Sequence, residues 1–212
     1  MPLFNRKVQI DGSKIWIWYI SEDNNFFKEF LNLSENDHKF IDGLNKRRKR
    51  EWLASRFLLK KYITDPIDGT IRKDKHGKPY IDQDIHHISI THSHDYTALI
   101  YSPQIVGIDI QQRVSKITRI AHKFVNKEEE LYIGQPEVDY FHIIWGAKES
   151  MYKAYGRKAV DFKLDMSIKK FQIKNTLFKF YGVLSKEDIY QYQLYAEKMD
   201  EYYLVYAILD HL

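Results

Sequence analysis

Two short segments carry side chains that could bind a metal ion and phosphate groups. Residues 107–111 read Gly-Ile-Asp-Ile-Gln, and the alternation of apolar and polar side chains predicts a strand with Asp109 on its polar face. Residues 145–153 read Trp-Gly-Ala-Lys-Glu-Ser-Met-Tyr-Lys and follow a helical period, which places Glu149 and Lys153 one turn apart. A strand carboxylate beside a helix carboxylate and a lysine would hold a divalent cation together with the phosphates of a substrate.

The lysines of the helical segment allow two interpretations. Lys148 and Lys153 would neutralise phosphate charge if they face the same cleft as the carboxylates. Lys153 is equally the i, i+4 partner of Glu149, an interaction worth only about 0.3–0.5 kcal/mol. Either carboxylate taken alone would be an ordinary surface residue, so the chemistry depends on the two segments meeting.

Size and composition indicate a globular protein. The 212 residues are 44% apolar and 15% aromatic, enough to bury a core in one domain or two small lobes. The absence of cysteine excludes disulfides, thiolate metal sites and a cysteine nucleophile. The N-terminal residues lack the apolar segment of a signal peptide, and the longest apolar runs are strand-sized. We therefore expect no transmembrane segment and a cytoplasmic location.

Positive charge is concentrated at one place. The formal net charge is only +4, yet residues 46–50 are five consecutive cations. Such a patch predicts an anionic partner, whether phosphate groups, an acidic protein or nucleic acid. The alternative is a solvated helix start with no partner.

Hydrophobic periodicity predicts an α+β protein. The predicted strands are residues 15–20, 87–90, 96–101, 107–111, 169–173, 177–183, 190–196 and 202–209. The predicted helices are residues 26–33, 36–44, 46–62 and 140–155, with a helical stretch over 115–132 and a loop over 64–70. This order of elements, a strand, helices, a long helix and further strands, occurs twice.

The two halves of the chain also resemble each other in sequence. Trp52 aligns with Trp145, and at the same offset Ile15 aligns with Ile108. The economical explanation is a duplicated α/β lobe, although a match this short also arises by chance.

A duplicated lobe predicts how the cleft is charged. Two similar α/β lobes, residues 1–103 and 104–212, would be related by a pseudo-twofold axis. Arg56 would then occupy in one lobe the position that Glu149 occupies in the other. Cations on one side of a cleft and carboxylates on the other would suit a polyphosphate bound with a metal.

A cluster of histidines invites a zinc interpretation. His86, His87, His92 and His94 lie close in sequence, but their spacing matches no established zinc pattern. A histidine near a strand end that binds a phosphate is the favoured interpretation. The chain has neither a Walker-type Gly-Lys-Ser/Thr loop nor a Gly-x-Gly-x-x-Gly segment, which disfavours P-loop and Rossmann phosphate sites.

Taken together, these motifs resemble those of the 4′-phosphopantetheinyl transferases of the surfactin-synthetase-activating type. Members carry Gly-Ile-Asp-Ile-Glu followed by a helix with Trp-x-x-Lys-Glu-Ser/Ala-x-x-Lys, and residues 107–111 and 145–153 are similar to both. Residues 49–56 resemble the family's basic helix, residues 77–80 its Gly-Lys-Pro segment, and residues 88–93 its Ser-His-Ser segment.

The resemblance implies a fold and an activity. The fold would be the two-lobed, pseudo-twofold α+β fold of a monomer. The activity would be transfer of the phosphopantetheine arm of coenzyme A to a serine of an acidic acyl or peptidyl carrier protein, with release of adenosine 3′,5′-bisphosphate. It does not say whether the carrier serves fatty acid, polyketide or nonribosomal peptide synthesis.

The resemblance also implies roles for particular residues. Asp109 and Glu149 would bind Mg²⁺, or Mn²⁺ in its place, with the coenzyme A pyrophosphate, and Lys153 would lie beside the phosphates. Glu149 or a metal-bound water would take the serine proton. The side chains expected to bind coenzyme A are Arg50, Arg56, Lys78, Thr91, His92 and Lys148.

One position departs from the family pattern. The family usually has Glu where this chain has Gln111, which we predict as a third metal ligand beside Asp109 and Glu149. An amide oxygen can ligate Mg²⁺ or hold a metal-bound water, but it supplies no charge. The departure predicts weaker metal binding or a larger share of water in the coordination sphere.

The partners follow from the remaining features. Residues 115–124 place Ile117, Ile120 and Phe124 near helical spacing, which predicts either core packing or a docking surface for a helix of the carrier. A catalytically inactive relative that binds only coenzyme A or a carrier is the alternative function. A basic nucleic-acid-binding protein is a more remote one, since it leaves the carboxylates without a role. We expect neither a nucleic acid nor a membrane partner.

Overall fold

The computed structural model describes residues 6–64, 71–174 and 176–211, and it folds them into two antiparallel sheets with helices packed against them. The predicted α+β class is confirmed. Most of the predicted loop over residues 64–70 lies outside the described residues. Within the described ranges, no helix is long and apolar enough to cross a membrane.

The first sheet is built from the N-terminal half of the chain. Its six described strands are ordered β1-β2-β6-β5-β4-β3. They are β1 (Arg6–Ile10), β2 (Ser13–Tyr19), β3 (Ile71–Lys73), β4 (Pro79–Ile81), β5 (His87–Ser93) and β6 (Tyr96–Ser102). Between β2 and β3 come helices α1 (Asn24–Phe30), α2 (Glu35–Asp42) and α3 (Lys46–Leu59), and α3 runs into a π-helical turn (Lys60–Thr64).

The second sheet is built from the C-terminal half. Its five described strands are ordered β7-β11-β10-β9-β8. They are β7 (Val106–Gln112), β8 (Met166–Ile168), β9 (Phe178–Ser185), β10 (Ile189–Met199) and β11 (Tyr202–His211). Between β7 and β8 come 3₁₀ turns (Ser115–Arg119 and Ala121–Lys123), the short helix α4 (Lys127–Glu130) and the long helix α5 (Glu137–Tyr155).

The two sheets share one topology once the edge strand β1 is set aside. In each, the first strand pairs with the last, and the others follow in reverse order of sequence. The described first sheet ends at Ser102 and the second begins at Val106. The predicted lobe boundary between residues 103 and 104 falls in this gap and stays a prediction.

Helix α5 packs closely on strand β7. Its predicted apolar stripe is buried, with Ala147 and Met151 fully enclosed. A Cβ atom at Gly107 would lie 1.9 Å from the carbonyl oxygen of Ser150, so only glycine permits this approach of strand and helix. The contact brings the polar face of β7 next to the polar face of α5, and Gly156, at φ +71°, ends the helix in a left-handed cap.

Two predicted elements differ from the structure. The helical stretch over residues 115–132 is broken into 3₁₀ turns and one short helix, and the Phe124 carbonyl between them accepts a hydrogen bond from Lys148. The predicted strand over residues 169–173 is not a strand. Its apolar pattern reflects Phe171, which packs among aromatic rings beside β9.

Candidate active site

Asp109 on β7 is held from two sides. Its Oδ1 accepts hydrogen bonds from Lys153 Nζ at 2.8 Å and from Thr91 Oγ1 at 3.3 Å. The Lys153 ammonium also donates to the Ile108 carbonyl at 2.8 Å, and it thereby bridges strand and helix. Asp109 Oδ2 accepts no hydrogen bond from the described part of the chain, so one carboxylate oxygen remains available to a ligand.

Glu149 lies on α5 beside this pair. Among the described residues it makes no hydrogen bond or ion pair. Burial, and next the negative charge of Asp109, raise the pKa of Glu149 from 4.5 to about 6, while Lys153 acts in the opposite direction. Glu149 is therefore a half-buried carboxylate that is a stronger base than an ordinary glutamate and is still mainly ionised at neutral pH.

The two carboxylates fit a divalent cation. They are close enough for the charge of Asp109 to raise the pKa of Glu149, and a cation between them would relieve that repulsion. Mg²⁺ commonly takes one or two protein carboxylates and completes its shell with phosphate oxygens and water. Within the described ranges, no group of three or more acidic, histidine or cysteine side chains forms a complete metal site. Substrate oxygens and water would have to supply the remaining ligands.

Gln111 is held by a histidine. His142 Nε2 lies 2.9 Å from the Val114 amide nitrogen and 3.1 Å from the Val114 carbonyl oxygen, and Nδ1 lies 2.9 Å from Gln111 Oε1. In the neutral ring with the proton on Nδ1, Nε2 accepts from the amide and Nδ1 donates to Gln111. Gln111 Nε2 donates in turn to the His142 carbonyl at 2.9 Å. Burial lowers the pKa of His142 and so favours this neutral form. Both ends of the Gln111 amide are thus hydrogen-bonded to His142, and the predicted role of Gln111 as a metal ligand, which would use the second lone pair of Oε1, stays a prediction.

A basic cavity of 740 Å³ lies between α3 and the edge of the first sheet. Its described lining has several cations and Asp37 as its single carboxylate. The cations are Arg56, Lys60, Arg72 and Lys73, and the imidazole of His92 also lines the cavity. An excess of positive charge around a cavity of this size suits a ligand with several phosphate groups.

Arg56 is fixed within this basic cavity. Its guanidinium carbon lies 3.4 Å from the centroid of the Trp52 ring, a stacked cation–π contact. Burial lowers the pKa of Arg56 to about 10, and Asp37 partly offsets the effect. The guanidinium therefore stays charged at neutral pH, and its plane is set before any ligand binds.

His92 connects the basic cavity to the carboxylates. Its Nδ1 lies 3.3 Å from Glu51 Oε2, and its side chain is 47% exposed. Partial burial lowers the pKa of His92, Glu51 and Asp109 raise it, and Lys153 and Arg56 lower it. The pKa of His92 is thus affected both by Arg56 of the basic cavity and by Asp109 and Lys153.

A second cavity of 180 Å³ adjoins the first. The two share Gly77, Pro79 and Ile90 in their walls, and the smaller one also contains Lys153. Lys78 lines the smaller cavity and donates a hydrogen bond to the backbone carbonyl of Ala154 near the end of α5. Burial lowers the pKa of Lys78 to about 8. The smaller cavity therefore leads from the basic cavity to the lysine that holds Asp109.

Two residues that are expected to bind the nucleotide contact other protein groups in the structure. Arg50 forms an ion pair with Asp95 at 2.7 Å and lines a separate cavity, not the one that contains Arg56. The hydroxyl of Thr91 donates to Asp109 and accepts from the Ile110 amide at 3.2 Å. Thr91 therefore supports Asp109, and its predicted contact with coenzyme A stays a prediction.

Lys148 is the clearest correction. Its side chain is fully buried and pairs with Glu129 at 2.8 Å. The ammonium also donates to three backbone carbonyls, those of Phe124, Phe162 and Met166. Lys148 therefore ties together the elements behind α5, and it has no access to a phosphate group.

Several residues that support the site are not among those predicted from the sequence. Trp52 stacks on Arg56, Glu51 contacts His92, and His142 fixes Gln111. The detectable signal was Glu51, a lone carboxylate directly after five cations. Nothing in the sequence pairs His142 with Gln111, because the two meet only through the packing of α5 on β7.

Comparison with known proteins identifies the family of this chain. A family model described as the 4′-phosphopantetheinyl transferase superfamily matches residues 105–207. The holo-[acyl-carrier-protein] synthase of Bacillus subtilis strain 168 is 36% identical over 89 residues, which are 34% of this chain and 72% of that protein. The chain therefore belongs to the 4′-phosphopantetheinyl transferase superfamily.

Two longer matches carry the name of a transferase. The 4′-phosphopantetheinyl transferase gsp of Aneurinibacillus migulanus is 32% identical over 133 residues, 58% of this chain and 55% of that protein. The 4′-phosphopantetheinyl transferase Sfp of Bacillus subtilis strain 168 is 26% identical over 155 residues, 68% of each chain. The match to gsp thus spans little more than half of that protein's length.

Proposed function

We propose that this chain transfers the 4′-phosphopantetheine group of coenzyme A to a serine of an apo acyl or peptidyl carrier protein and releases adenosine 3′,5′-bisphosphate. The observation that carries the proposal is the continuity of the site. A cation-lined cavity adjoins a narrower one whose wall contains Lys153. The Lys153 ammonium donates to Asp109, the carboxylate whose charge acts on Glu149. The names of the transferase relatives support the same reaction.

Coenzyme A would lie along the two cavities. Its nucleotide, which carries a 3′-phosphate, would occupy the basic cavity with Arg56 and His92 on phosphate oxygens. The pyrophosphate would lie at the junction, within reach of Lys153. Charge-assisted hydrogen bonds of this kind are typically worth about 1.5–3 kcal/mol each.

Asp109 and Glu149 would hold the divalent cation, which we propose is Mg²⁺, or Mn²⁺ in its place. When bound, the cation supplies charge neutralisation and Lewis-acid polarisation of the phosphate oxygens. Thr91 fixes Asp109 through its hydroxyl, and Lys153 keeps one oxygen of that carboxylate occupied.

Glu149 would act as the general base. The serine oxygen of the carrier attacks the phosphorus that bears the pantetheine, and the bond from that phosphorus to the bridging oxygen breaks. The bridging oxygen leaves with adenosine 3′,5′-bisphosphate, and the serine proton passes to the Glu149 carboxylate. A base with a pKa of about 6 suits this step, because it is both ionised at neutral pH and more basic than an ordinary glutamate.

The carrier would dock beside the carboxylates on residues 115–123. Ile117 is buried in the core, as the packing interpretation predicts, whereas Ile120 is 39% exposed. Lys116 and Arg119 flank it and are exposed. A basic surface with one exposed apolar side chain suits an acidic helix. We further propose a monomer in the cytoplasm, without a nucleic-acid or membrane partner.

The experiment combines the purified protein with coenzyme A, Mg²⁺ and apo carriers of several pathways, and measures the carrier mass. We expect a gain of one phosphopantetheine group, and none in the presence of EDTA or with a carrier whose serine is replaced by alanine. Glu149→Gln should lower the rate by about 10²–10⁴, the usual contribution of a general base. The matched control Glu201→Gln, at an exposed residue in the turn before β11, should leave it unchanged.

An inactive coenzyme A-binding relative is the second candidate, favoured by one observation. Gln111 brings no charge to the metal site and is held by His142. Binding of coenzyme A without a mass gain on any carrier would establish this second candidate and refute the transferase.

A further inference from the structure

Glu51 is a buried carboxylate in a strongly basic helix. It follows five consecutive cations in sequence, yet the residue is only 5% exposed. A carboxylate removed from water is costly unless hydrogen-bond donors or cations meet it. The identity of its partners therefore indicates what the residue is for.

Both carboxylate oxygens of Glu51 face strand β5 and the turn that follows it. Oε1 accepts a hydrogen bond from the His94 backbone amide at 3.1 Å, which anchors a turn where His94 has φ +51°. Oε2 lies 3.3 Å from His92 Nδ1. The third contact, from Arg47 Nε, is longer at 3.7 Å and comes from a side chain that is 55% exposed.

This arrangement sets the orientation of the His92 ring. The negative charge of Glu51 Oε2, 3.3 Å from His92 Nδ1, favours a proton on that nitrogen, because a carboxylate can only accept. The other ring nitrogen, Nε2, is then directed away from Glu51, and the half-exposed ring lines the basic cavity. Nε2 can donate to a phosphate oxygen only when the ring is protonated at both nitrogens.

The charges that face His92 come from three elements. Glu51 and Arg56 lie on α3, Lys153 on α5 and Asp109 on β7. The two cations oppose a second proton on the ring, and the two carboxylates favour it. A phosphate dianion in the cavity would add negative charge on the Nε2 side and shift this balance toward the imidazolium ion.

We propose that Glu51 is a positioning residue that holds His92 with Nδ1–H toward Oε2 and Nε2 toward the basic cavity, so that His92 takes up a proton when a phosphorylated nucleotide binds. This inference rests on the proposed function, because the nucleotide is part of the proposed substrate. Glu51 itself touches neither the nucleotide nor the reacting atoms.

The variant Glu51→Gln tests the inference. A glutamine has a single acceptor oxygen, and if that oxygen keeps the His94 amide, its NH₂ group faces His92 Nδ1. The His92 ring must then move its proton to Nε2. Long-range ¹H–¹⁵N spectra, with the His92 signal assigned from His92→Gln, should show the Nδ1–H tautomer in the wild type and the Nε2–H tautomer in the variant.

Binding provides the second readout. Titration calorimetry with adenosine 3′,5′-bisphosphate in two buffers of different ionisation enthalpy should show proton uptake by the wild type and less by Glu51→Gln. Affinity should fall about tenfold, the factor that corresponds to about 1.4 kcal/mol. The double variant Glu51→Gln/His92→Gln should bind no more weakly than His92→Gln alone, because Glu51 acts through His92.

Each outcome decides the matter. Additive losses in the double variant, or an unchanged His92 tautomer, overturn the inference and leave Glu51 as a support for the His94 turn. A wild-type protein that does not bind the nucleotide refutes the proposed function and the phosphate role of His92 together. The control Glu201→Gln should behave as wild type in every measurement, and matching thermal unfolding curves would show that Glu51→Gln is folded.

Discussion

The raised pKa of Glu149 predicts that this site is kept at a cost in stability. A carboxylate whose pKa is higher in the folded than in the unfolded state does not lower the stability of the fold at pH values below its unfolded-state pKa. It destabilises the fold increasingly as the pH rises toward its folded-state pKa. For Glu149 the unfolded value is 4.5 and the folded value about 6, and the causes are burial first and the neighbouring Asp109 second. Glu149→Gln should therefore stabilise the metal-free protein at neutral pH.

The magnitude follows from the same two values. The interval from 4.5 to about 6 corresponds to about 2 kcal/mol at about 1.36 kcal/mol per pH unit. For a chain of this size that free energy shifts Tm by about 4–8 °C. Glutamine fits the same space, and its helix propensity is close to that of glutamate, so little should offset the gain.

The assay is urea unfolding of both proteins in EDTA between pH 4 and 8. The free energy of unfolding of the wild type, relative to Glu149→Gln, should fall between about pH 4.5 and 6 and then level off. Mg²⁺ should restore stability to the wild type more than to the variant, since the cation favours ionised Glu149. Parallel pH curves, or a variant that is less stable than wild type at pH 7, would refute the reasoning. Glu201→Gln, at an exposed residue, is the matched control.

Three further predictions concern residues around the site. Arg56→Gln should weaken coenzyme A binding by at least about tenfold, because a charged contact worth about 1.5–3 kcal/mol is lost; calorimetry checks this, and an unchanged affinity would remove Arg56 from the nucleotide site. Gln111→Glu should destabilise the metal-free fold by about 1–3 kcal/mol, because a carboxylate oxygen would replace the donor to the His142 carbonyl; a more stable variant in urea would show that His142 does not hold residue 111. Lys148→Ala should lower the free energy of unfolding by about 3–5 kcal/mol, because it leaves the buried Glu129 carboxylate unpaired. The double variant Lys148→Ala/Glu129→Gln should lose less, and equal stability of the two variants would contradict the pairing.

Much of the fold could be predicted from periodicity. Strand β7 and helix α5 each have a clear period, and the glycine at residue 107 allows their close contact. Asp109, Glu149 and Lys153 therefore meet as predicted. The predicted strand over residues 169–173 was wrong because its apolar residue packs as part of a loop, and a short alternation does not distinguish these cases.

Side-chain roles that depend on distant partners could not be predicted. Lys148 resembles Lys153 of the same helix in sequence, but its ammonium binds Glu129 and three carbonyls, one at Phe124 and two in the segment 162–166. Gln111 occupies the expected strand position, yet its amide is hydrogen-bonded to His142. A pattern of residue types identifies candidates on a face, whereas hydrogen-bond partners from elsewhere in the chain decide which of them remain available to a ligand.

The central claim is tested most directly by measuring both products of one reaction. The protein, Mg²⁺, coenzyme A and an apo carrier are incubated, the carrier mass is measured, and adenosine 3′,5′-bisphosphate is quantified in the same sample. The account predicts one phosphopantetheine group on the carrier serine for each adenosine 3′,5′-bisphosphate released, with both lost in Glu149→Gln. Nucleotide release without carrier modification, or no reaction with any carrier although coenzyme A binds, would contradict it.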